Sequence, residues 1–461
     1  MATSLNEGNA ATDSRQAKST AGILATETVT LAITIIVSIV IARELGAVDR
    51  GKYAFLLLLG GTLLPLMFFG FGVSVSYFVA NRSFEVRRIA ATCVVVGVLV
   101  GMVAALGIAA LWETGLFGKT SAEIDQTLVL SVLALLPLQG GRIMLGRLLI
   151  ADSRFGVNNL WMLVQRVLLA ATLFLTVVIF GLGLPGCVIA MVVTTVVTSL
   201  GLAGEVWRRY RPVLRIDSEF VAQGAAHGIK AWAGALAQHA NLRFDQLILG
   251  MLCEPAALGN YTIATMIAEL CWLPVRSVGP VLFNRVAAFR SEAERSTSTE
   301  RIHRIMVISS SLLAVLLIAV TFLIVPWLLG DGYEQVGPLT TILLSGVGAS
   351  VSFRVLCKFF GGIGRPFLNS VAHLVAFVVG TGLSIALTTQ FGVYGAAVAC
   401  AFTYAIGAAV LVFLYLRRVS PRRPQLLWIR RSDVRWLRDQ FRGIFASPGG
   451  SPAKQTSATP G

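Results

Sequence analysis

Residues 305–329 read IMVISSSLLAVLLIAVTFLIVPWLL, a run of twenty-five positions without a charged side chain. A helix of roughly 20 apolar residues crosses the hydrocarbon core of a bilayer, which is about 30 Å thick. This stretch therefore predicts a transmembrane helix. Eleven further stretches of similar character lie at 21–43, 53–80, 89–112, 127–149, 157–180, 184–206, 231–252, 258–284, 337–360, 366–389 and 392–416.

The composition excludes a soluble protein. Of the 461 residues, 56% are hydrophobic and 13% are charged, whereas about a quarter of an ordinary globular chain is charged. So few charged side chains cannot cover a core of this size in water. The sequence thus predicts an all-α integral membrane protein with twelve transmembrane helices.

The polar segments divide the chain into two lobes and two tails. We predict an N-lobe of six helices at 21–206, a cytoplasmic connector at 207–230 and a C-lobe of six helices at 231–416. Residues 1–20 are polar and predict a disordered cytoplasmic tail, and 446–461 predict a second disordered tail. Residues 417–445 are basic and amphipathic, which fits an interfacial helix on anionic lipid and equally a solvated charged tail.

The net charge of +15 reports the orientation in the membrane. Most of the 38 Lys and Arg lie in the tails and in the even-numbered connectors. Positively charged segments stay in the cytoplasm, so both termini are predicted to be cytoplasmic. With the charge spread in this way, no compact basic domain is left for nucleic acid. The odd-numbered connectors hold just Arg43, Arg50, Lys52 and Lys119.

No pattern for a metal or cofactor appears in the sequence. The six cysteines and four histidines are scattered and lack the spacing of a metal site. Gly181-Leu182-Gly183-Leu184-Pro185-Gly186 has the spacing of a dinucleotide-binding loop, but it follows an apolar helix, where such a loop follows a strand. We interpret it as a tight turn between helices, and we predict neither a cofactor nor a metal.

The two halves of the chain repeat one another at an offset near 208 positions. Gly51-Lys52-Tyr53 aligns with Gly259-Asn260-Tyr261, and Phe180-Gly181-Leu182 aligns with Phe391-Gly392-Val393. Because each half has an even number of helices, both are inserted the same way up. The lobes are therefore expected to be related by a pseudo-two-fold axis along the membrane normal, with a substrate path at their interface.

Several of these segments resemble the polysaccharide flippases, the Wzx-type branch of the multidrug/oligosaccharidyl-lipid/polysaccharide exporter superfamily. The resemblance extends over about residues 20–416 and is carried by short motifs: Ala42-Arg43-Glu44-Leu45-Gly46 before Gly51, Gly70-Phe71-Gly72, and Asp245-Gln246-Leu247-Ile248-Leu249-Gly250 before Gly259. It implies a V-shaped, two-lobe transporter with a central cavity lined mainly by helices 1, 2, 7 and 8. It also implies that the substrate is an undecaprenyl-pyrophosphate-linked oligosaccharide.

Charged residues inside the predicted helices are the candidate site. A charge near the centre of a transmembrane helix costs roughly 2.5–3.5 kcal/mol, so each should face a cavity or a partner. Arg166, Arg243 and Arg276 suit a pyrophosphate headgroup, because arginine forms bidentate hydrogen bonds with phosphate oxygens. Trp272 and Tyr261 are expected to meet the sugars.

Three acids in the same helices are candidates for proton or sodium coupling: Glu27, Asp245 and Glu269. The alternative is that each acid neutralises an arginine of a neighbouring helix. Glu269 and Arg276 lie two turns apart on helix 8, which predicts that they do not pair directly. Ser350, Arg354 and Lys358 share one face of helix 10. Two like charges on one face favour an anion or a lipid headgroup, and near the cytoplasmic surface we expect Arg354 and Lys358 to anchor the helix or to meet headgroups.

The residues favour a flippase of the bacterial cytoplasmic membrane that works by alternating access. Its partners would be the lipid-linked oligosaccharide, membrane lipids, a coupling proton or sodium ion and a polysaccharide polymerase. A multidrug/cation antiporter of the same fold is the main alternative, although interior arginines repel lipophilic cations. A glycan polymerase or ligase is a weaker one, because the longest outer connector, 113–126, is short.

Overall fold

The structure is a computed structural model, and it describes the backbone of residues 2–212, 216–289 and 291–419. Within these ranges all regular secondary structure is helical. Eight of the described helices are long and apolar enough to cross a membrane, or nine when the bent pair Val336–Ser345 and Val347–Gly362 is taken as one span. The prediction of an all-α integral membrane protein is confirmed.

Long and broken helices account for the twelve spans, which we number in chain order. The N-lobe contains Ala2–Leu58 (span 1 and the start of span 2), Leu59–Leu63, Leu64–Leu66 and Phe71–Ala80 (the rest of span 2), Val86–Glu113 (span 3), Gly118–Ala122 (a short helix between spans 3 and 4), Gln126–Leu133 and Leu136–Ala151 (span 4), Phe155–Leu173 and Phe174–Ile179 (span 5), and Gly183–Tyr210 (span 6). The C-lobe contains Ser218–Ala240 and Phe244–Leu252 (span 7), Pro255–Glu269, Leu270–Trp272 and Leu273–Ala288 (span 8), Glu292–Leu329 (span 9), Val336–Ser345 and Val347–Gly362 (span 10), and Pro366–Val419 (spans 11 and 12).

Two glycines separate spans that are otherwise continuous in helix. Gly46 has φ 68° inside Ala2–Leu58, and Gly392 has φ 58° inside Pro366–Val419. A positive φ ends the right-handed helix and is readily adopted by glycine because it lacks a Cβ. The chain therefore turns at Gly46 between spans 1 and 2, and at Gly392 between spans 11 and 12.

The described helices and the predicted segments have different bounds at two places. Residues 2–20, expected to form a disordered tail, are helical and continuous with span 1. In the predicted connector 207–230, a helix begins at Ser218 and continues into span 7, thirteen residues before the predicted apolar stretch. The predictions for the basic segment and the disordered tail fall mainly on 420–461, which lie outside the described residues.

The internal repeat has the same local geometry in both lobes. Gly181 and Gly392, aligned by sequence, have φ 62° and 58°. One turn further on, a Cβ at Gly186 would press on the carbonyl of Thr176, and a Cβ at Gly395 would overlap the carbonyl of Leu387. The turn before the last helix of each lobe is thus built in the same way.

Where the lobes touch, the contact is reciprocal. A Cβ at Gly51 would overlap the carbonyl of Pro255, and a Cβ at Gly259 would overlap the carbonyl of Ala47. The partners of each kind, Gly51 with Gly259 and Ala47 with Pro255, are separated by the repeat offset of 208 positions. Such mutual contact between equivalent residues is what a two-fold axis produces. We call these four residues the outer contact.

The packed core joins the two lobes. We call the end of the bundle where the odd-numbered connectors lie outer, and the opposite end inner. The core that surrounds the outer contact combines N-lobe residues such as Phe55 with C-lobe residues such as Tyr261, Tyr333 and Val336. The inner part of the C-lobe has a separate core around Val351, Leu356 and Tyr415. The lobes are thus packed together at the outer end, and the same core also joins them at the inner end, where Phe71 and Phe78 of span 2 pack against Phe220 of span 7.

Candidate functional site

A cavity of about 690 Å³ lies between the two lobes in the inner half of the bundle. We call it the central cavity. Its N-lobe wall is formed by Thr30 and Thr34 of span 1 and by Asn159 and Met162 of span 5. Its C-lobe wall comes from spans 7, 8, 10, 11 and 12. The cavity therefore occupies the interface that the repeat predicts as the substrate path.

The C-lobe wall of the central cavity is basic. Arg276 of span 8 and Arg354 and Lys358 of span 10 line it, and no carboxylate does so among the residues whose side chains are described. The side chain of Lys358 lies close to the backbone of Gly279 on span 8. Spans 8 and 10 therefore bring three cations to one surface, where they attract an anion.

A tryptophan fixes the orientation of Arg354. The guanidinium carbon lies 3.5 Å from the centroid of the Trp272 ring, which is a cation–π contact. The indole N–H of Trp272 donates a hydrogen bond of 3.1 Å to Ser350 Oγ, and Tyr404 packs edge-on against the ring. The Nε of Arg354 is buried without a hydrogen-bond partner among the described groups. Arg354 is thus held at the cavity wall with unused hydrogen-bonding capacity.

Glu269 connects two arginines behind this wall. Its carboxylate accepts a 2.6 Å hydrogen bond from Arg243 Nη1 and lies 4.0 Å from Arg276 Nη2. Glu269 is 22% exposed, whereas Arg276 is 51% exposed, so Arg276 keeps most of its access to the cavity. The expectation that Glu269 and Arg276 do not pair is wrong, although their contact is long. The 3₁₀ turn Leu270–Trp272 lies between them and changes the helical geometry on which that expectation rested.

Breaks in the helices make this arrangement possible. Span 7 stops at Ala240 and resumes at Phe244, with Arg243 at φ −144° just before the restart. If span 7 were one continuous helix, Arg243 would lie on the same face as His239, one turn further along. Broken transmembrane helices are tolerated where the irregular backbone faces protein or a cavity.

A second, smaller cavity of about 40 Å³ lies inside the C-lobe. Asp245 and Glu269, the two predicted coupling acids whose side chains are described, line it. We call it the acidic pocket. Asp245 accepts a 2.5 Å hydrogen bond from the hydroxyl of Tyr261 and a 2.8 Å hydrogen bond from the backbone N–H of Gln246. Glu269, Arg243 and Cys400 also line this pocket. With a volume of about 40 Å³, it is too small for an organic substrate.

Of the eight residues predicted from sequence, seven have described side chains, and these fall into four places. Arg276 lines the central cavity. Arg243, Asp245, Glu269 and Trp272 line the acidic pocket behind it. Tyr261 is fully buried against Asp245, and Arg166 is exposed on span 5 and does not line the central cavity. The side chain of Glu27 lies outside the described part of the chain.

Two placements correct the sequence interpretation. Tyr261 was expected to meet sugar, but its hydroxyl is used by Asp245 and its ring is packed in the core between the lobes. Of the two ligands that the sequence allows for Arg354 and Lys358, an anion or a lipid headgroup, the headgroup is the expected one, but both side chains line the central cavity. The signal for them was their spacing of four residues, which puts both cations on one face. The sequence could not show that this face meets a cavity.

Comparison with known proteins identifies the family. The sequence profile of the family described as "Polysaccharide biosynthesis protein" matches residues 17–283, more than half of the chain. The chain belongs to this polysaccharide biosynthesis family. Among curated proteins, none matches the sequence significantly.

Solved structures with the same fold are transporters of one superfamily. The lipid II flippase MurJ, in an inward closed conformation, matches with a TM-score of 0.73 and 11% identity over 93% of each chain. An inward-facing multidrug resistance MATE transporter of the MOP superfamily matches with a TM-score of 0.69 and 14% identity over 83% of this chain and 93% of that one. A MOP superfamily transporter from Pyrococcus furiosus matches with a TM-score of 0.53 and 13% identity over 85% and 95%. These identities show the fold alone.

The family and the fold together confirm the resemblance stated from the motifs. This member of the polysaccharide biosynthesis family has the architecture of MOP superfamily transporters.

Proposed function

We propose that this protein is a flippase that moves an undecaprenyl-pyrophosphate-linked oligosaccharide across the bacterial cytoplasmic membrane for polysaccharide biosynthesis. The observation that carries the proposal is the central cavity, where Arg276, Arg354 and Lys358 line a surface without a described carboxylate. A pyrophosphate is a compact dianion, and guanidinium groups bind its oxygens with charge-assisted hydrogen bonds. The family match supports a glycan as the rest of the cargo.

The proposed transport cycle needs no covalent chemistry. The substrate headgroup enters the central cavity from the inner end, and the three cations bind its pyrophosphate. The outer contact then opens while the inner ends of the lobes approach each other, so that the headgroup is released on the outer side. The polyprenyl chain stays in the bilayer throughout, because its transfer to water is strongly unfavourable.

The acidic pocket is proposed as the coupling site. Asp245 and Glu269 lie behind the cavity wall, and Glu269 contacts both Arg243 and Arg276. A proton or sodium ion bound by Glu269 would neutralise its carboxylate, so that the two arginines would no longer be paired with a negative charge. The coupling ion would thereby change the strength with which Arg276 attracts the headgroup. In this scheme Arg243 is a positioning residue, and Glu27 stays a sequence-based candidate.

The charge of the cavity disfavours the multidrug alternative. A lipophilic cation would meet Arg276, Arg354 and Lys358 in a cavity that no described carboxylate lines. An exporter of cations would need the acids of the acidic pocket on its path, but that pocket has a volume of about 40 Å³. The cavity geometry therefore supports an anionic cargo.

The test is transport of a labelled undecaprenyl-pyrophosphate-linked disaccharide by purified protein in liposomes. We expect Arg276→Gln and Arg354→Gln each to lower the rate by about tenfold or more, because each removes a charge-assisted hydrogen bond. Arg276→Lys should recover part of the rate. Arg285→Gln is the matched control, because Arg285 is exposed on the same span and does not line the central cavity.

Two results would contradict the proposal. One is an Arg276→Gln/Arg354→Gln double variant that transports the lipid-linked disaccharide as fast as the wild type. The other is efficient transport of ethidium, a lipophilic cation, by wild-type protein that does not move the lipid-linked disaccharide. The second result would favour the multidrug alternative.

A further inference from the structure

A third cavity, of about 190 Å³, lies within the N-lobe between spans 4, 5 and 6. We call it the N-lobe pocket. Its polar and aromatic lining consists of Arg142, Arg147, Asn158, Trp161 and Thr198. Sites for drug-sized ligands have volumes of about 300–1,000 Å³. The N-lobe pocket has room for a single sugar residue.

The two arginines of this pocket lack a described counter-charge. No carboxylate lines the N-lobe pocket among the described residues. Arg142 Nη1 donates a 2.8 Å hydrogen bond to Gln165 Oε1, while its Nε is buried without a partner in the described part of the chain. A charge near the centre of a transmembrane helix costs roughly 2.5–3.5 kcal/mol, which applies to Arg142, whereas Arg147 lies closer to the inner end of span 4 and is exposed. Two arginines that line one pocket without an acid indicate a site for an anion.

The other polar groups of the pocket suit a sugar. The Trp161 ring is held against Gly201, where an added Cβ would overlap it. Asn158 donates to the sulfur of Met162 at 3.4 Å, a weak acceptor that a sugar hydroxyl would readily replace. An aromatic ring, an amide and a hydroxyl beside two guanidinium groups match a pyranose that bears a carboxylate.

The N-lobe pocket adjoins the central cavity. Met162 lines both cavities, and the neighbouring residues Asn158 and Asn159 line one each. A glycan attached to a pyrophosphate in the central cavity can therefore reach the N-lobe pocket. The three cations of the central cavity already match a dianionic headgroup, so Arg142 and Arg147 are available for a second anionic group on the same substrate.

We infer that the N-lobe pocket binds an acidic sugar, and that the transported oligosaccharide contains a hexuronate. This inference rests on the proposed function and specifies its substrate class. Arg142 and Arg147 bind the C6 carboxylate, and Trp161 and Asn158 contact the ring. A neutral glycan lacks the group that these arginines bind.

The experiment compares two synthetic ligands, undecaprenyl-pyrophosphate-linked disaccharides that end in glucuronate or in glucose. Binding is measured with purified protein in phosphatidylcholine bilayers. We expect wild-type protein to bind the glucuronate ligand about tenfold more tightly, because charge-assisted hydrogen bonds discriminate between the two sugars. The preference should disappear in Arg142→Gln/Arg147→Gln. It should persist in Arg208→Gln, the matched control, whose exposed arginine lies at the end of span 6 and outside both cavities.

The glucose ligand separates this inference from the proposed function. The Arg142→Gln/Arg147→Gln variant should bind it within about twofold of the wild type, because glucose has no carboxylate for these arginines to bind and the pyrophosphate is held in the central cavity. Retained binding also shows that the variant is folded. Equal wild-type affinity for the two ligands would overturn the acidic-sugar inference and leave the flippase intact. Loss of the preference on adding phosphatidylglycerol would assign the N-lobe pocket to a lipid headgroup and would also overturn it. If neither ligand binds to wild-type protein, both proposals fail.

Discussion

The outer contact and the central cavity differ sharply in how the two lobes face each other. At the outer contact, Gly51 of span 2 and Gly259 of span 8 bring the two backbones into direct contact. At the central cavity, Thr34 of span 1 and Arg276 of span 8 line opposite walls. The lobes are therefore in direct backbone contact at one place and separated by a cavity at another.

The residue types explain this difference. Glycine lets backbones approach closely, which is how transmembrane helices gain packing energy without a hydrophobic driving force. The cations of the central cavity carry like charges, which repel one another across its wall. In the proposed cycle, closing the inner end therefore needs an anionic ligand, whereas opening the outer end needs the loss of close packing.

The largest expected effect comes from replacing a glycine of the outer contact. Gly51→Leu should destabilise the closed outer end by about 3 kcal/mol, since the new side chain meets the Pro255 backbone, which cannot yield as a side chain would. Spin labels at Ala122 and Leu252, which border one depression on the outer surface, should report a longer and broader distance distribution. Transport should be nearly abolished.

Gly107→Leu is the control for this prediction. An added Cβ at Gly107 meets no described atom within 4 Å, so the same substitution there should leave the distance distribution unchanged. An unchanged distribution in Gly51→Leu would mean that the outer contact does not hold the lobes together.

The next effect concerns the charges behind the inner cavity wall. Glu269→Gln should lower the free energy of unfolding by about 1–3 kcal/mol, because it removes the negative charge that Arg243 and Arg276 share. Thermal unfolding in detergent measures the change. Glu205→Gln is the control, since its pairing with Arg209 is longer, at 3.6 Å, and lies near the surface. If both variants lose the same amount of stability, Glu269 contributes no more to folding than the Glu205–Arg209 ion pair does.

A smaller effect is expected from the tryptophan that holds Arg354. Trp272→Leu should weaken binding of the pyrophosphate lipid by about 0.5–2 kcal/mol, the range of a cation–π contact. Trp272→Phe should lie between this variant and the wild type, because a ring remains without its hydrogen bond to Ser350. Affinity measurements in liposomes test both. Trp207→Leu, at an exposed tryptophan outside the central cavity, should not change the affinity.

The smallest effect is expected at an exposed ion pair across the outer end. Lys119 and Glu254 lie 3.4 Å apart and are 60% and 64% exposed, so Lys119→Gln should shift the conformational equilibrium by less than about 1 kcal/mol. Raising the salt concentration should abolish even that shift. The Ala122 and Leu252 labels measure it. A large shift would show that charge, and not glycine packing, closes the outer end.

The contrast between the outer contact and the central cavity also shows what could be read from the sequence. The repeat offset aligned Gly51 with Gly259 and Gly181 with Gly392, and both pairs have matching geometry in the structure. These matches could be predicted from the sequence because a positive φ or a close backbone contact favours glycine at that position. The basic character of the site was equally visible, since Arg243 and Arg276 are conspicuous in apolar helices.

The sequence did not show which cavity each charged residue lines. Helical periodicity places Arg354 and Lys358 on one face but does not say whether that face meets lipid, protein or water. The break at Arg243 and the 3₁₀ turn before Leu273 changed which groups pair. Tyr261 was assigned to sugar because of its residue type, yet its hydroxyl bonds to Asp245 in the core.

The sequence by itself determined the solvent, the number of spans, the two-lobe repeat and the presence of buried cations, because each depends on local composition or on spacing along the chain. The tertiary structure alone decided which cations face the central cavity, which of them Glu269 neutralises and where the lobes are in direct contact. Those outcomes depend on how helices distant in sequence are placed against one another, and a few ångströms there decide whether two charges pair or a cavity separates them.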